Sequence, residues 1–186
     1  MNIGIIILVI VVLIILWVIG VYNGLISKKQ KVENAWSQID VQLQRRFDLI
    51  PNLVETVKGY MAHESEVLEK VTELRSAWAK ASTVNEKAEI DNQLSSTMKT
   101  IMAVSENYPD LKANTNFMDL SNQLKETENK ISFSRQFYND AVTMYNTAIA
   151  LFPANIIAGM FHFTAKELFE VKDAQARESV KVSFDK

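Results

Sequence analysis

Residues 3 to 22 read Ile-Gly-Ile-Ile-Ile-Leu-Val-Ile-Val-Val-Leu-Ile-Ile-Leu-Trp-Val-Ile-Gly-Val-Tyr, with no charge and almost no polar atom. The first ionisable side chain after the run, apart from the Tyr22 phenol that closes it, is Lys28. Some 20 helical residues rising about 1.5 Å each cover about 30 Å, the thickness of a bilayer's hydrocarbon core. A helix that is apolar on every side needs an apolar solvent all round. The run therefore predicts a single-pass membrane anchor over residues 1–27, with Ile5, Leu8, Val12, Leu16, Trp17 and Tyr22 presenting its lipid-facing and interfacial side chains.

A cleaved signal peptide is the competing reading, and it fits poorly. Such peptides start with a basic stretch, carry an apolar run of about 7–15 residues and end in small residues. Here the chain opens Met-Asn-Ile-Gly, the run is longer, and Val21 to Ile26 holds no Ala-x-Ala pattern. Orientation follows from Lys28, Lys29 and Lys31, which lie just after the span while nothing basic precedes it. Basic residues beside a span are retained in the cytoplasm. The expected topology puts the N-terminus outside a bacterial inner membrane and the rest of the chain in the cytoplasm. Trp17 and Tyr22 suit the inner headgroup zone.

Beyond the anchor some 159 residues remain, enough for one domain. The net charge of −2 gives no electrostatic reason to expect nucleic acid. With no cysteine there is neither a disulfide nor a thiolate metal site. Three prolines and five glycines are too few for a turn-rich β chain, and the residue supply is that of an all-α domain.

Hydrophobic spacing gives the helices. Val32, Trp36, Ile39, Leu43, Ile50, Val54, Val57 and Met61 follow steps of three and four, with Arg46 in the slot between Leu43 and Ile50. Pro51 lacks an N–H and biases Ile50 away from helical angles, so a break at about 48–50 is expected. A second helix then starts at Pro51, its stripe continuing through Leu68, Val71, Arg75 and Trp78, with Glu64 in the slot after Met61. Thr83 followed by Glu86 has capping-box spacing. The third stripe is Ala88, Ile90 or Asp91, Leu94, Met98, Ile101 and Val104. The fourth runs from Phe117 through Leu120, Leu124, Ile131, Tyr138, Val142, Tyr145 and Ile149 to Phe152 with a mean step of 3.5, which suits bundle packing of coiled-coil type. Two of its slots fall to Thr127/Glu128 and Ser134/Arg135.

The expected fold is all-α: one N-terminal transmembrane helix followed by an elongated antiparallel four-helix bundle over residues 28–172. Its helices are predicted at about 30–47, 51–81, 84–107 and 115–152. Residues 153–172 form a short apolar segment that either folds back on the bundle or makes an interface. Residues 173–186 form a polar tail.

Three blocks resemble the LemA family of bacterial membrane-anchored proteins. The first is Val32 to Trp36 followed by Ile39 to Tyr60 and closing at His63-Glu64; the second is Asn107-Tyr108-Pro109 with Leu111-Lys112; the third joins Glu128, Ile131, Arg135, Tyr138-Asn139, Tyr145-Asn146 and Phe152-Pro153. With the N-terminal span the likeness covers nearly the whole chain. It implies a helical-bundle cytoplasmic domain on one span with the N-terminus outside. It brings no reaction, and it suggests an oligomeric, scaffold-like role at the membrane.

Arg46, Glu64, Glu128 and Arg135 occupy slots where spacing predicts burial. A charge out of water is costly unless partnered. The four are therefore expected to pair as a buried polar network that fixes helix register, in preference to forming an active site. The two histidines, His63 and His162, lack the Glu-x-x-His spacing of a bundle metal site. No nucleophile elbow or Gly-rich phosphate loop is present. The expectation is a protein without catalytic, cofactor-binding or metal residues. Phe133 and Phe137, with Met160, Phe161 and Phe163, make a second apolar face that a partner would cover. The leading functional reading is a non-enzymatic scaffold that self-associates or docks an unidentified membrane protein partner at the bilayer. The alternatives are a sensor or adaptor whose bundle repacks, and an enzyme working in the polar slots.

Overall fold

A computed structural model describes residues 3–60 and 65–169. No strand occurs among them, and the chain is all-helical with one long apolar N-terminal helix. Helix α1, Ile3–Lys58, carries both the apolar run and the first amphipathic segment without interruption. Every residue from Ile3 to Trp17 is exposed, whereas from Leu25 onward a buried stripe appears: Val32, Ala35, Ile39, Leu43, Phe47, Ile50, Leu53 and Val57. Among the described residues α1 is the one unbroken helix long and apolar enough to cross a membrane.

The break expected at 48–50 is absent, because Pro51 sits inside α1. A proline within a helix forfeits one backbone hydrogen bond and crowds the preceding turn, at about 3 kcal/mol. Phe47, Ile50, Leu53 and Val57 on both sides of it are almost wholly buried on one face, and Pro51 itself points to solvent. Burying several large side chains at about 1.5–3 kcal/mol each outweighs the lost hydrogen bond. The predicted helix 51–81 is thereby divided. Its first eight residues continue α1, and α2 spans Ser65–Trp78.

Helix α3, Val84–Ser105, opens with the capping box read from the sequence. The Glu86 amide donates to the Thr83 hydroxyl, and the Glu86 carboxylate accepts from the amides of Thr83 and Ser82. These bonds hold its carboxyl below the usual range. The short α4, Pro109–Lys112, has its proline at the first position, where the missing N–H costs nothing. Helix α5, Thr115–Ala150, starts from an Asn114 cap that accepts from the Phe117 amide. Helix α6, Ala154–Met160, is turned 94° from α5. His162, at φ 55°, then sends the chain into a non-helical segment that reaches Phe169.

Helix α1 packs chiefly on α5, α2 packs on α3 and α1, and α6 touches both α1 and α5. One core links them, from Val32 to Val57 on α1 to Val142 and Tyr145 on α5, with Phe47 stacked on Trp78 at 4.6 Å. Several expected stripe positions differ, Leu53 and Ser105 being buried where Val54 and Val104, only half-buried, were expected. Leu74 is buried where Arg75 was expected, Ala35 is buried while Trp36 is only half-buried, and Phe152 is exposed because α5 ends before it. The expected tail 173–186 lies outside the described residues, as do Met61 and His63.

Candidate functional site

Helices α1, α3 and α5 bring four charges together. Arg46 on α1 donates through Nη1 to Asp91 Oδ1 at 2.8 Å and to Ser95 Oγ at 2.9 Å, and pairs with Glu128 Oε2 at 2.7 Å. Arg135 on α5 donates to the other Asp91 oxygen. Ser95 in turn donates to Glu128 at 3.3 Å, closing a ring of contacts. Two guanidiniums and two carboxylates balance, so the group carries no net charge.

Burial grades sharply across it. Asp91 is 0% exposed and Arg46 3%, but the Arg135 side chain is 15% and the Glu128 side chain 42% exposed. The expectation that Glu128 is buried fails. Thr127 fills that slot and returns its hydroxyl to the Gln123 carbonyl at 2.7 Å. Glu64 lies outside the described residues. The central acid is Asp91, which sequence reasoning held only as an alternative to Ile90. The signal was there: Ala88, Asp91, Leu94, Met98 and Ile101 keep steps of three and four, and Ile90 breaks them.

Burial lowers the pKa of both arginines. For Arg46 the nearby Glu128 opposes the fall; for Arg135 the like charge of Arg46 adds to it, and the value drops to about 10. Both remain guanidinium at neutral pH. The Nε atoms of Arg46 and Arg135 are buried without a hydrogen-bond partner. The Arg135 plane instead lies 4.8 Å from the Phe169 ring.

One helical turn beyond Arg135 on α5, a second polar device uses no charge at all. Asn139 donates to the Phe169 carbonyl at 3.1 Å and accepts from its amide at 2.8 Å. Asn146 does the same for Lys166, at 2.9 and 2.8 Å. Tyr138 donates to the Glu167 carbonyl at 2.8 Å, and Tyr145 to the Thr164 carbonyl at 3.1 Å. Each repeat thus pairs seven helical residues with three of the non-helical segment 163–169, a strap along α5. Seven residues of helix and three of extended chain both advance about 10 Å, so the two Tyr-Asn pairs fit one backbone ribbon. Burial raises both phenols above the usual range, aided by Glu167 at Tyr138 and by Glu33 at Tyr145. Phe169, at the end of the strap, is buried 6.1 Å from the Trp36 ring.

The remaining candidate residues fall into two zones. Phe133 and Phe137 are exposed, joined on the same side by Val41 of α1. Met160 and Phe161 are exposed, but Phe163 is half-buried against the core and against Tyr22. Tyr22, at the end of the apolar run, also meets Phe161 at 4.7 Å. Ile5, Leu8, Val12, Leu16 and Trp17 are exposed along α1, and Lys28, Lys29 and Lys31 follow on the same helix. Among the described residues no group of three or more His, Asp or Glu is placed to hold a metal ion.

The sequence model described as the LemA family matches residues 35–184. "Protein LemA" of Metamycoplasma hominis is 28% identical over 171 residues, which cover 90% of this chain and 74% of that protein. "Magnetosome protein MamQ 2" of Paramagnetospirillum magneticum is 24% identical, covering 82% of this chain and 66% of its own length. "Magnetosome protein MamQ" of Magnetospirillum gryphiswaldense is 22% identical over the same shares.

Proposed function

The chain belongs to the LemA family, and from that premise we propose that it is a non-enzymatic scaffold, fixed by the first half of α1 to the cytoplasmic face of a bacterial inner membrane, where it self-associates or docks a membrane protein. The N-terminus lies outside, on the strength of Lys28, Lys29 and Lys31 following the apolar run. The soluble helices form an elongated antiparallel four-helix bundle. Its support is the order of contacts: Trp36 meets Tyr138, Arg46 meets Glu128, and Tyr60 meets Asn114, so numbers rise on one side as they fall on the other.

The observation that carries the scaffold reading is the exposed apolar stripe of Phe133, Phe137 and Met144 on α5, with Val41 beside it on α1. Phe133 is 75% exposed. A contiguous patch of large apolar side chains marks an interaction site. An enzyme in the polar slots is disfavoured because each arginine is consumed by a carboxylate, and the acid at the centre has no access to solvent.

Light scattering on the detergent-solubilised full chain tests this. The expected result is an oligomer that Phe133→Ser with Phe137→Ser dissociates. A strict monomer at every concentration would remove self-association.

A further inference from the structure

Two charge-free stretches of this chain meet in space. Residues 1–27 hold no Asp, Glu, Lys or Arg, and neither do residues 141–165. They join where Tyr22 contacts Phe161 and Phe163, at the inner end of the apolar run. Water-facing surface on the rest of the molecule is studded with charge, so a collar without any calls for another environment.

The shape of the collar says which one. Helix α1 sets the direction of the anchor, and α5 runs beside it through the contacts at Trp36 and Arg46. Helix α6 is turned 94° from α5 and so runs across the anchor's axis, the direction of the surface of any bilayer that the anchor crosses. One side of α6 buries Ile157 and Ala158 against the protein. The other presents Ile156 and Met160, four residues apart and 53% and 66% exposed, and Phe152, just before the helix, is 80% exposed. Aromatic and aliphatic side chains at this level, ahead of Lys28 by about 9 Å of helix rise from Tyr22, match the headgroup–acyl boundary.

We infer that α6 and the residues flanking it are a second membrane contact: Phe152, Ile156, Met160 and Phe161 insert into the cytoplasmic leaflet beside the anchor and hold the bundle upright on it. The partner is the lipid surface itself, held by apolar insertion. This rests on the anchor reading above.

The absence of cysteine allows single reporters. Full-length Phe152→Cys, Ile156→Cys, Met160→Cys, Val12→Cys and Met118→Cys would each be spin-labelled in vesicles of phosphatidylethanolamine and phosphatidylglycerol. Collisions with oxygen, which favours lipid, and with a nickel chelate, which favours water, are then compared. The expected result places labels at 152, 156 and 160 on the lipid side of the label at 118 and shallower than that at 12. Labels at 152, 156 and 160 as open to nickel as that at 118, with 12 still in lipid, would overturn the inference and leave the anchor standing. Labels shielded from both reagents would overturn it too, since a protein then covers the collar. A water-exposed label at 12 would remove the anchor and the inference together.

Discussion

The two halves of α1 have the same backbone and opposite surroundings. From Ile3 to Trp17 the side chains are exposed all round, and from Leu25 to Val57 a single stripe is buried while the remaining faces are mostly polar. The first half packs on nothing among the described residues, and it is long and apolar enough to cross a membrane. The second half finds its partners in α5, α2 and α6. Secondary structure is therefore no guide to where a helix lives; the angular width of its apolar surface is.

The comparison breaks most visibly if charge enters the first half. Val12→Lys with Ile15→Lys puts two cations at the bilayer centre, at about 2.5–3.5 kcal/mol each, and should move most of the chain from the membrane pellet to the supernatant. Val41→Lys, an exposed apolar position on the second half, should change stability by no more than about 0.5 kcal/mol. Next comes the charge cluster. Asp91→Ala strands Arg46 and Arg135 without their shared carboxylate and should cost about 3–5 kcal/mol in denaturant unfolding. Pro51→Ala restores the hydrogen bond that α1 lacks and should raise stability, by up to about 3 kcal/mol.

The strap gives the smallest effect and a pH signature. Asn139→Ala loses both bonds to Phe169, at about 1–3 kcal/mol. Tyr138 and Tyr145 titrate above their unfolded pKa, so above pH 10 the folded chain holds protons the unfolded chain has lost. Their contribution is complete below pH 10 and is lost as pH rises through the folded values. Arg135, depressed to about 10, has the opposite sign, gaining stability from about pH 10 upward. Chemical denaturation of wild type against Tyr138→Phe should therefore show a gap that narrows as pH climbs past 10.

The stripes of α1 and α5 and the Thr83–Glu86 cap were legible because each rests on spacing and residue type alone. The passage of α1 through Pro51 was not, since a local penalty there is overridden by Phe47, Ile50 and Leu53 packing on distant helices. Asp91 was half-legible: its phase on the stripe was right, but a carboxylate looks wrong in a core until Arg46 and Arg135 arrive from 45 and 44 residues away. The strap left no trace in residues 164–169, because Asn139, Asn146 and the two tyrosines bind backbone, which every sequence supplies. Its signal lay on α5 alone, in a Tyr-Asn pair repeated at seven residues.

The central claim is that the helices after the apolar run stand on the cytoplasmic side of a membrane. Met118→Cys, exposed on α5 in a chain with no other cysteine, tests it with a membrane-impermeant maleimide. The account predicts no labelling in intact cells and full labelling once they are permeabilised; labelling of intact cells would contradict it.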